Sequence, residues 1–530
     1  MFIMAARRLR LSVVQSVVLV LIAIACTCAP PRAEAATRQS DPAADCAKLS
    51  RTDLASVSDV PAAIGSADYI PASSDMRGYC RVRGMIAPHI QYDLRLPDDW
   101  TGRYLQGGCG GFCGMIMIDQ CAPGLARGFA VAASDLGHSG GAWVSPVWAT
   151  DPQLRRDYGG RATHELAKIS KIIIQIYYGE APKRSYFQGC STGGREGLQV
   201  AQNYPEDFDG IIAGDPAFPG RLSIWNTWIA QHLMDNGGAP VFSKAALEFL
   251  HAAVTDACDA KDGLKDGIIA DPRRCSYDPQ KIQCKPGRDG TDCLTAAQVA
   301  AARAMYDGAR NSRGELLYPG AASRGSELDW DGPLMAHVSQ EALRFLAFPT
   351  VRPAFTYRSF NWDRDEADVR ATAGTYDAVE PGKAPDLSRF HARGGRLIAY
   401  HGFYDVGVPP GGIIDYYAQV WNREGGLAAT KNWFRLFMVP GMFHCRGGDA
   451  PNTFDMLTQI VDWVEKDRAP NGIIATQYDK SGTVVRRRPL YAYPNVARFS
   501  GRGDPNDAAN WNESPQVIGE DRVDWAWKPS

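Results

Sequence analysis

The pentapeptide Gly189-Cys190-Ser191-Thr192-Gly193 constrains this chain more than any other stretch. It follows an apolar run, Ser185-Tyr186-Phe187-Gln188, and precedes a helix-like segment from Arg195 to Tyr204. A serine at the apex of a strand, turn and helix, with glycine on either side, is the pattern of a nucleophile elbow, which lifts one hydroxyl above the edge of a parallel sheet. Alone, the pattern also suits an ordinary turn. A second feature sharpens it: Ser191 is preceded by a cysteine, and His444, far along the chain, is followed by one. If Ser191 and His444 meet, Cys190 and Cys445 come close enough for a disulfide, whose Cα atoms must lie about 4.4 to 6.8 Å apart.

From about residue 100 the chain alternates strand and helix patterns. Arg103 to Gln106 runs into a glycine-rich loop, Phe129 to Ser134 reads as a strand, and Thr163 to Tyr178 as a helix. Ser185 to Gln188 and Asp209 to Ala213 are further short strands. The rhythm predicts an α/β fold, a parallel sheet covered by helices. It breaks near Asp215-Pro216 and resumes at Arg396 to Tyr400, followed by a strand over Phe434–Val439 and a closing helix over Phe454–Lys466. The expected organisation is a hydrolase core in two parts, residues 37–216 and 395–530, with a lid domain inserted at 217–394. The lid carries Trp225, Trp228, Trp330, Phe345, Phe348, Phe355, Tyr357, Phe360 and Trp362. These rings are expected to be mainly core, with a few lining a cleft for a planar aromatic group.

In the hydrolase plan the acid follows a strand after the nucleophile and the histidine comes last. Of nine histidines only His444 lies beyond the strand that ends at His401, so it is the one candidate base. Asp405, directly after that strand, is the candidate acid, better placed than Asp415 or Glu424. A serine hydroxyl needs a neutral imidazole to take its proton, and the imidazole needs a carboxylate to fix its tautomer. Ser191, His444 and Asp405 fill those roles. The developing oxyanion needs preorganised amide donors. Thr192, following the nucleophile, supplies one, and Gly110 in Gly107-Gly108-Cys109-Gly110-Gly111 is chosen as the second. His444-Cys445 as half of a metal site lacks a companion cluster with ligand spacing, and His138 and His401 read as structural groups.

Composition narrows the setting. The 530 residues carry a formal charge of −2, with 22% charged and 45% hydrophobic residues, which excludes a basic nucleic-acid surface and an acidic tail. Arg7, Arg8 and Arg10 precede an apolar run from Leu11 to Thr27, and Ala33-Glu34-Ala35 gives the small-x-small pattern of a cleavage site. Residues 1–36 are therefore read as a signal peptide rather than an anchor, and the mature chain as secreted or periplasmic, with no membrane association. Of 13 cysteines, Cys26 and Cys28 leave with the leader, and the rest enter an oxidising compartment. Besides Cys190 with Cys445, spacing favours Cys46 with Cys80, Cys258 with Cys275, and Cys284 with Cys293. Two of Cys109, Cys113 and Cys121 are expected to pair and one to stay free.

The run from Asp259 to Ile268 holds the carboxylates of Asp259, Asp262 and Asp266 and two glycines. Hard oxygen donors at that density suit Ca²⁺, although the spacing is not that of an EF-hand and a solvated turn fits as well.

Five segments together resemble the tannase and feruloyl esterase family: Gly189 to Gly197, Asp209 to Pro216, Cys258 to Ile268, Tyr400 to Asp405, and Val439 to Cys445. The resemblance covers nearly all of the mature chain. It implies a secreted α/β-hydrolase with a large lid, a Ser191, Asp405, His444 triad flanked by the Cys190 and Cys445 pair, and oxyanion donation from Gly110 and Thr192. It further implies a structural calcium in the lid, held by the carboxylates of Asp259, Asp262 and Asp266 and the carbonyls of Leu264 and Ile268. The expected activity is hydrolysis of phenolic esters of the feruloyl type, with small aromatic esters as substrates, free or carried on plant polysaccharide. Gallate esters and terephthalate or phthalate monoesters are the alternatives. Against the terephthalate type, Val408 stands where a bulky aromatic is expected, and no cysteine pair occurs near Tyr491 to Asn512. A silent binding protein on the same scaffold is the non-enzymatic rival.

Overall fold

Nine strands form one mixed sheet in the order β1-β2-β3-β5-β4-β6-β7-β8-β9. They are β1 (Ala62–Ile70), β2 (Tyr79–Ile86), β3 (Ile90–Pro97), β4 (Arg103–Gly107), β5 (Ala130–Ser134), β6 (Arg184–Cys190), β7 (Gly210–Gly214), β8 (Arg396–Gly402) and β9 (Phe434–Val439). The computed structural model describes residues 41–530 apart from 57–59, 75, 289, 291, 378–381, 516–523, 525 and 528–530. The signal peptide expected at 1–36 lies outside the described residues.

From β5 to β9 all neighbours are parallel, but β1, β2, β3 and β5 pair antiparallel. The parallel sheet expected from about residue 100 onward is present over β4 to β9, and the antiparallel β1 to β3, which precede that stretch, extend it on one side. Two-residue alternation assigns each strand residue to a face. Tyr104, Ala132, Phe187, Ile211 and Leu397 join one buried cluster, whereas Leu105, Val131, Tyr186, Ile212 and Ile398 join the other. Both faces of the central strands are covered, which is why these strands read as continuous apolar runs. The covering helices include α1 (Ala162–Tyr178) and α2 (Thr192–Asn203), and the helix that closes the fold places Met456, Leu457, Ile460 and Trp463 against the second face.

Residues 42–530 form one compact unit, within which 217–394 is an insertion between β7 and β8. The insertion is more regular than its sequence: helices span α3 (Pro219–Leu233), Lys244–Cys258, Ala296–Asp307, α4 (Gly332–Phe345) and Asp365–Tyr376. Its helical periodicity is masked because α3 is buried nearly all round, including the polar Arg221, Ser223, Asn226 and Thr227. A helix enclosed on all sides shows no apolar stripe. After the closing helix the chain adds two hairpins, Gly472–Tyr478 with Val484–Tyr491 and Val496–Phe499 with Trp511–Ser514. No helix among the described residues is long and apolar enough to cross a membrane.

Candidate active site

Ser191 occupies the turn between β6 and α2 with φ 63° and ψ −122°. A non-glycine residue in that region costs about 1 to 3 kcal/mol and persists only where its surroundings enforce it. Here they do: the Ser191 amide donates to the Gly214 carbonyl (3.0 Å), and the Ala217 amide donates to the Ser191 carbonyl (3.0 Å). The flanking glycines are steric requirements. A Cβ on Gly189 would lie 2.5 Å from the Gly193 carbonyl carbon, and one on Gly193 would lie 3.0 Å from the Cys109 oxygen.

His444 and Asp405 come from the loops after β9 and β8. His444 Nδ1 lies 2.7 Å from Asp405 Oδ2, which leaves Nε2 available to a hydroxyl. Both Ser191 and His444 line one cavity of about 260 Å³. The cysteines beside them are joined: Cys190 and Cys445 form a disulfide with Cα atoms 6.0 Å apart, closing a separation of 255 residues. The bond ties the elbow to the histidine loop next to the Ser191 and His444 side chains. A Cys190→Ser, Cys445→Ser double variant is expected to lose about 2 to 5 kcal/mol of stability and to lose activity with it, measured by thermal unfolding and by kcat at a temperature where both proteins are folded. Unchanged kcat would mean that this bond does not position the pair.

Asp405 is fully buried and held from three directions. Besides His444, the Val408 amide donates to Oδ1 (2.8 Å), and His401 Nε2 lies 3.4 Å from Oδ2 while donating to the Val408 carbonyl at 2.7 Å. Asp215 completes the cluster, with Oδ1 3.7 Å from His401 Nε2 and accepting from the Gly402 amide at 3.0 Å. Reading His401 as a structural group missed its contact with Asp405. Four residues before an acid that follows a strand is the signal that could have found it. Burial works to raise Asp405, but the charge of His444 and hydrogen bonds from both imidazoles hold it well below the usual carboxylate range. Burial works to lower His444, and the Asp405 charge and hydrogen bond, with Asp215 and Asp329 behind them, raise it to about 9.

The glycine-rich loop is closed by a disulfide between Cys109 and Cys113, leaving Cys121 the free, buried thiol among the described residues. Glu196 pins it from below: Oε1 accepts from the Cys109 amide (3.0 Å) and Oε2 from the Thr163 hydroxyl (2.7 Å). His138 Nε2 sits 2.7 Å from the Phe112 carbonyl. Neither the Gly110 nor the Thr192 amide has a backbone acceptor among the described residues. Thr192, Gly111 and Phe112 line the cavity, and Gly110 lies one residue back along the loop.

None of the nine aromatic residues singled out in the insertion lines this cavity. They pack on one another instead, as in Trp228 with Trp362 (5.1 Å between centroids) and Phe360 with Trp362 (4.9 Å). The rings at the cavity are Phe112, Trp143 and Tyr158, all from the core and absent from the sequence reading. No lysine or arginine lines the wall.

The remaining cysteines pair Cys46 with Cys80, Cys258 with Cys275, and Cys284 with Cys293. The acidic loop follows the Lys244–Cys258 helix. Asp259 accepts from the Asp266 and Gly267 amides (3.2 and 2.8 Å), Asp262 from Leu264 (2.9 Å), and Asp266 from Ile268 (3.2 Å). Asp266 Oδ2 also takes a hydrogen bond from Arg488 (2.7 Å). Burial and then the charges of Asp266 and Asp259 raise Asp262 to about 6. Crowded like charges with hard oxygen donors fit a divalent cation chemically. The three carboxylates do not, however, bring one oxygen each within 4.8 Å of one another.

The family model for tannase and feruloyl esterase matches residues 74–513. The chain belongs to that family. Among relatives, a mono(2-hydroxyethyl) terephthalate hydrolase of Piscinibacter sakaiensis is 33% identical, covering 87% of this chain and 88% of that one. A probable feruloyl esterase of Arthroderma benhamiae is 32% identical over 78% of this chain and 80% of its own length. In structure, feruloyl esterase B from Aspergillus oryzae superposes with a TM-score of 0.79 at 26% identity, covering 89% of this chain and all of that chain. The tannase and feruloyl esterase fold is the α/β-hydrolase plan, and the chain is a carboxylic ester hydrolase.

Proposed function

We propose that this chain is a secreted serine esterase that cleaves phenolic esters of the hydroxycinnamoyl type through an acyl-enzyme. The observation that carries the reading is the joint placement of Ser191 on a strained elbow and His444, oriented by Asp405, on the wall of one largely apolar cavity. Ser191 Oγ attacks the ester carbonyl and its proton passes to His444 Nε2. Asp405 fixes the tautomer and stabilises the imidazolium. The tetrahedral oxyanion is met by the amides of Thr192 and Gly110. His444 then returns the proton to the leaving alkoxide, the C–O bond breaks, and the acyl group stays on Ser191. Water, deprotonated by His444, attacks the acyl carbonyl; the bond from that carbon to Ser191 Oγ then breaks, His444 returns the proton to Oγ, and the acid is released. We read residues 217–394 as the lid over this site. Plant polysaccharide carrying such esters is the natural source of substrate.

Charge separates the candidate acyl groups. A terephthalate monoester brings a second carboxylate, and no lysine or arginine lines the cavity to pair with it, while Asp329 and Asp331 stand on the wall. Burying an unpaired carboxylate near like charge is unfavourable. Neutral feruloyl and galloyl groups carry no such cost. Steady-state kinetics on methyl ferulate, methyl gallate and a terephthalate monoester test the reading: the neutral phenolic esters should be cleaved and the monoester should be the poorest. Cleavage of none would overturn it. A silent binding protein is disfavoured by the intact Ser191, His444 and Asp405.

Calcium, if bound, would be held by the Asp259, Asp262 and Asp266 carboxylates with the Leu264 and Ile268 carbonyls, and would serve stability. Neutralising these carboxylates favours the folded loop, so chelation with EGTA should lower Tm and added Ca²⁺ restore it. A Tm indifferent to both would remove the metal from the account.

A further inference from the structure

Behind the triad lies a buried acid to which the reaction above gives no part. Asp215 directly follows β7 with φ 37°, a left-handed conformation that a non-glycine residue keeps only where its surroundings enforce it. Its amide donates to the Tyr400 carbonyl (2.8 Å), which fixes it beside the end of β8. The carboxylate is fully buried. Oδ1 accepts from the Gly402 amide (3.0 Å), and Oδ2 lies 3.5 Å from the Cys190 sulfur, which has no proton to give because it is in a disulfide.

Asp405 is equally buried, and one oxygen of each carboxylate lies within 4.8 Å of the other and of a ring nitrogen of His401. Two carboxylates that close, out of water, stay ionised together only with a cation between them. Among the described residues no lysine or arginine is within ion-pair distance of either. The group between them is His401, whose Nε2 lies 3.4 Å from Asp405 Oδ2 and 3.7 Å from Asp215 Oδ1 and donates to the Val408 carbonyl at 2.7 Å. The other titratable neighbours are His444, which shares Asp405 Oδ2, Asp329 of the insertion, and the phenols of Tyr318 and Tyr400, which burial pushes upward and keeps neutral. His401 Nδ1 has no partner among the described residues, a smaller cost than two buried carboxylates with no cation.

We infer that His401 is a positioning residue of the triad, an imidazolium throughout turnover that bridges Asp215 to Asp405 and so keeps two carboxylates behind His444. The inference rests on the ester-hydrolase reading and adds two buried groups to its machinery. Burial pushes Asp215 up to about 6 and the His401 charge works against that rise, so Asp215 is ionised at neutral pH. When His444 takes the Ser191 proton, the cluster passes from one net negative charge to none: Asp215 and Asp405 then balance His401 and His444. The imidazolium of the tetrahedral intermediate is matched charge for charge.

The test is a double-mutant cycle of Asp215→Asn and His401→Gln, read by Tm and by kcat and KM on methyl ferulate. Glutamine keeps a donor for the Val408 carbonyl and removes the charge. Each single variant should lower kcat by about 10- to 100-fold, the scale of a misplaced catalytic group. KM should hold, because neither residue lines the cavity. Asp215→Asn should lower Tm in the wild type, where it strands an imidazolium, and raise Tm in the His401→Gln background, where it removes an unpaired carboxylate. The double variant, losing one charge of each sign, should recover kcat above either single. A packing role alone would give losses that add, and additive losses in both Tm and kcat overturn the inference. Neutron diffraction from the wild type near neutral pD needs no variant to fold: deuterium on both ring nitrogens of His401 supports the inference, and deuterium on one alone overturns it. A wild type that cleaves no ester removes the esterase reading, and the neutron map still decides the charge of His401.

Discussion

Ser191→Ala should abolish turnover, with kcat falling about 10⁶-fold, the scale seen when a triad nucleophile is removed. The side chain is small and the site is partly open, so the fold should tolerate the change. The strain of the elbow belongs to the backbone and is fixed by the hydrogen bonds to Gly214 and Ala217. Tm should therefore stay near that of the wild type while activity on methyl ferulate disappears. A residual rate above that of water would measure what the amides and the cavity contribute without a nucleophile.

Asp405→Asn should cost about 10⁴-fold in kcat with the fold preserved. The amide can still contact His444 Nδ1, but it no longer selects the tautomer that leaves Nε2 able to accept a proton. It also leaves His401, which now shares the carboxylate, facing a neutral group. The pH profile reports the same coupling. A general base works only when unprotonated, so kcat/KM rises as pH climbs through the pKa of His444. With His444 raised to about 9, chiefly against burial by the Asp405 charge, the rising limb should lie on the alkaline side of the ordinary imidazole range. Asp405→Asn removes the charge that raises it, so the limb of the residual activity should move to lower pH. A limb that stays in place would show that another group sets it.

What the sequence displayed most openly was local. The elbow joins strand, turn and helix within a few residues, and the glycines at 189 and 193 are demanded by close backbone approach. The placement of His444 and Asp405 followed from chain order and from which strand each succeeds. Antiparallel β1 to β3 were not read, and their composition explains it. Arg81 and Arg83 alternate through β2, and Asp93 in β3 is buried against Arg81 at 2.7 Å, so charged side chains interrupt the apolar signal. Helix α3 hid itself by being enclosed on every side. Asn226 and the rings of Phe112, Trp143 and Tyr158 meet at the cavity only through packing between distant segments, and no spacing in the chain announces it.

The central claim is that the hydroxyl of one serine carries the acyl group during turnover. Rapid acid quench of the enzyme mixed with excess methyl ferulate, followed by peptide mapping by mass spectrometry, tests it most directly. The account predicts a feruloyl adduct on the peptide that contains Ser191, absent from Ser191→Ala. Steady hydrolysis with that peptide unmodified, or an adduct on another residue, would contradict it.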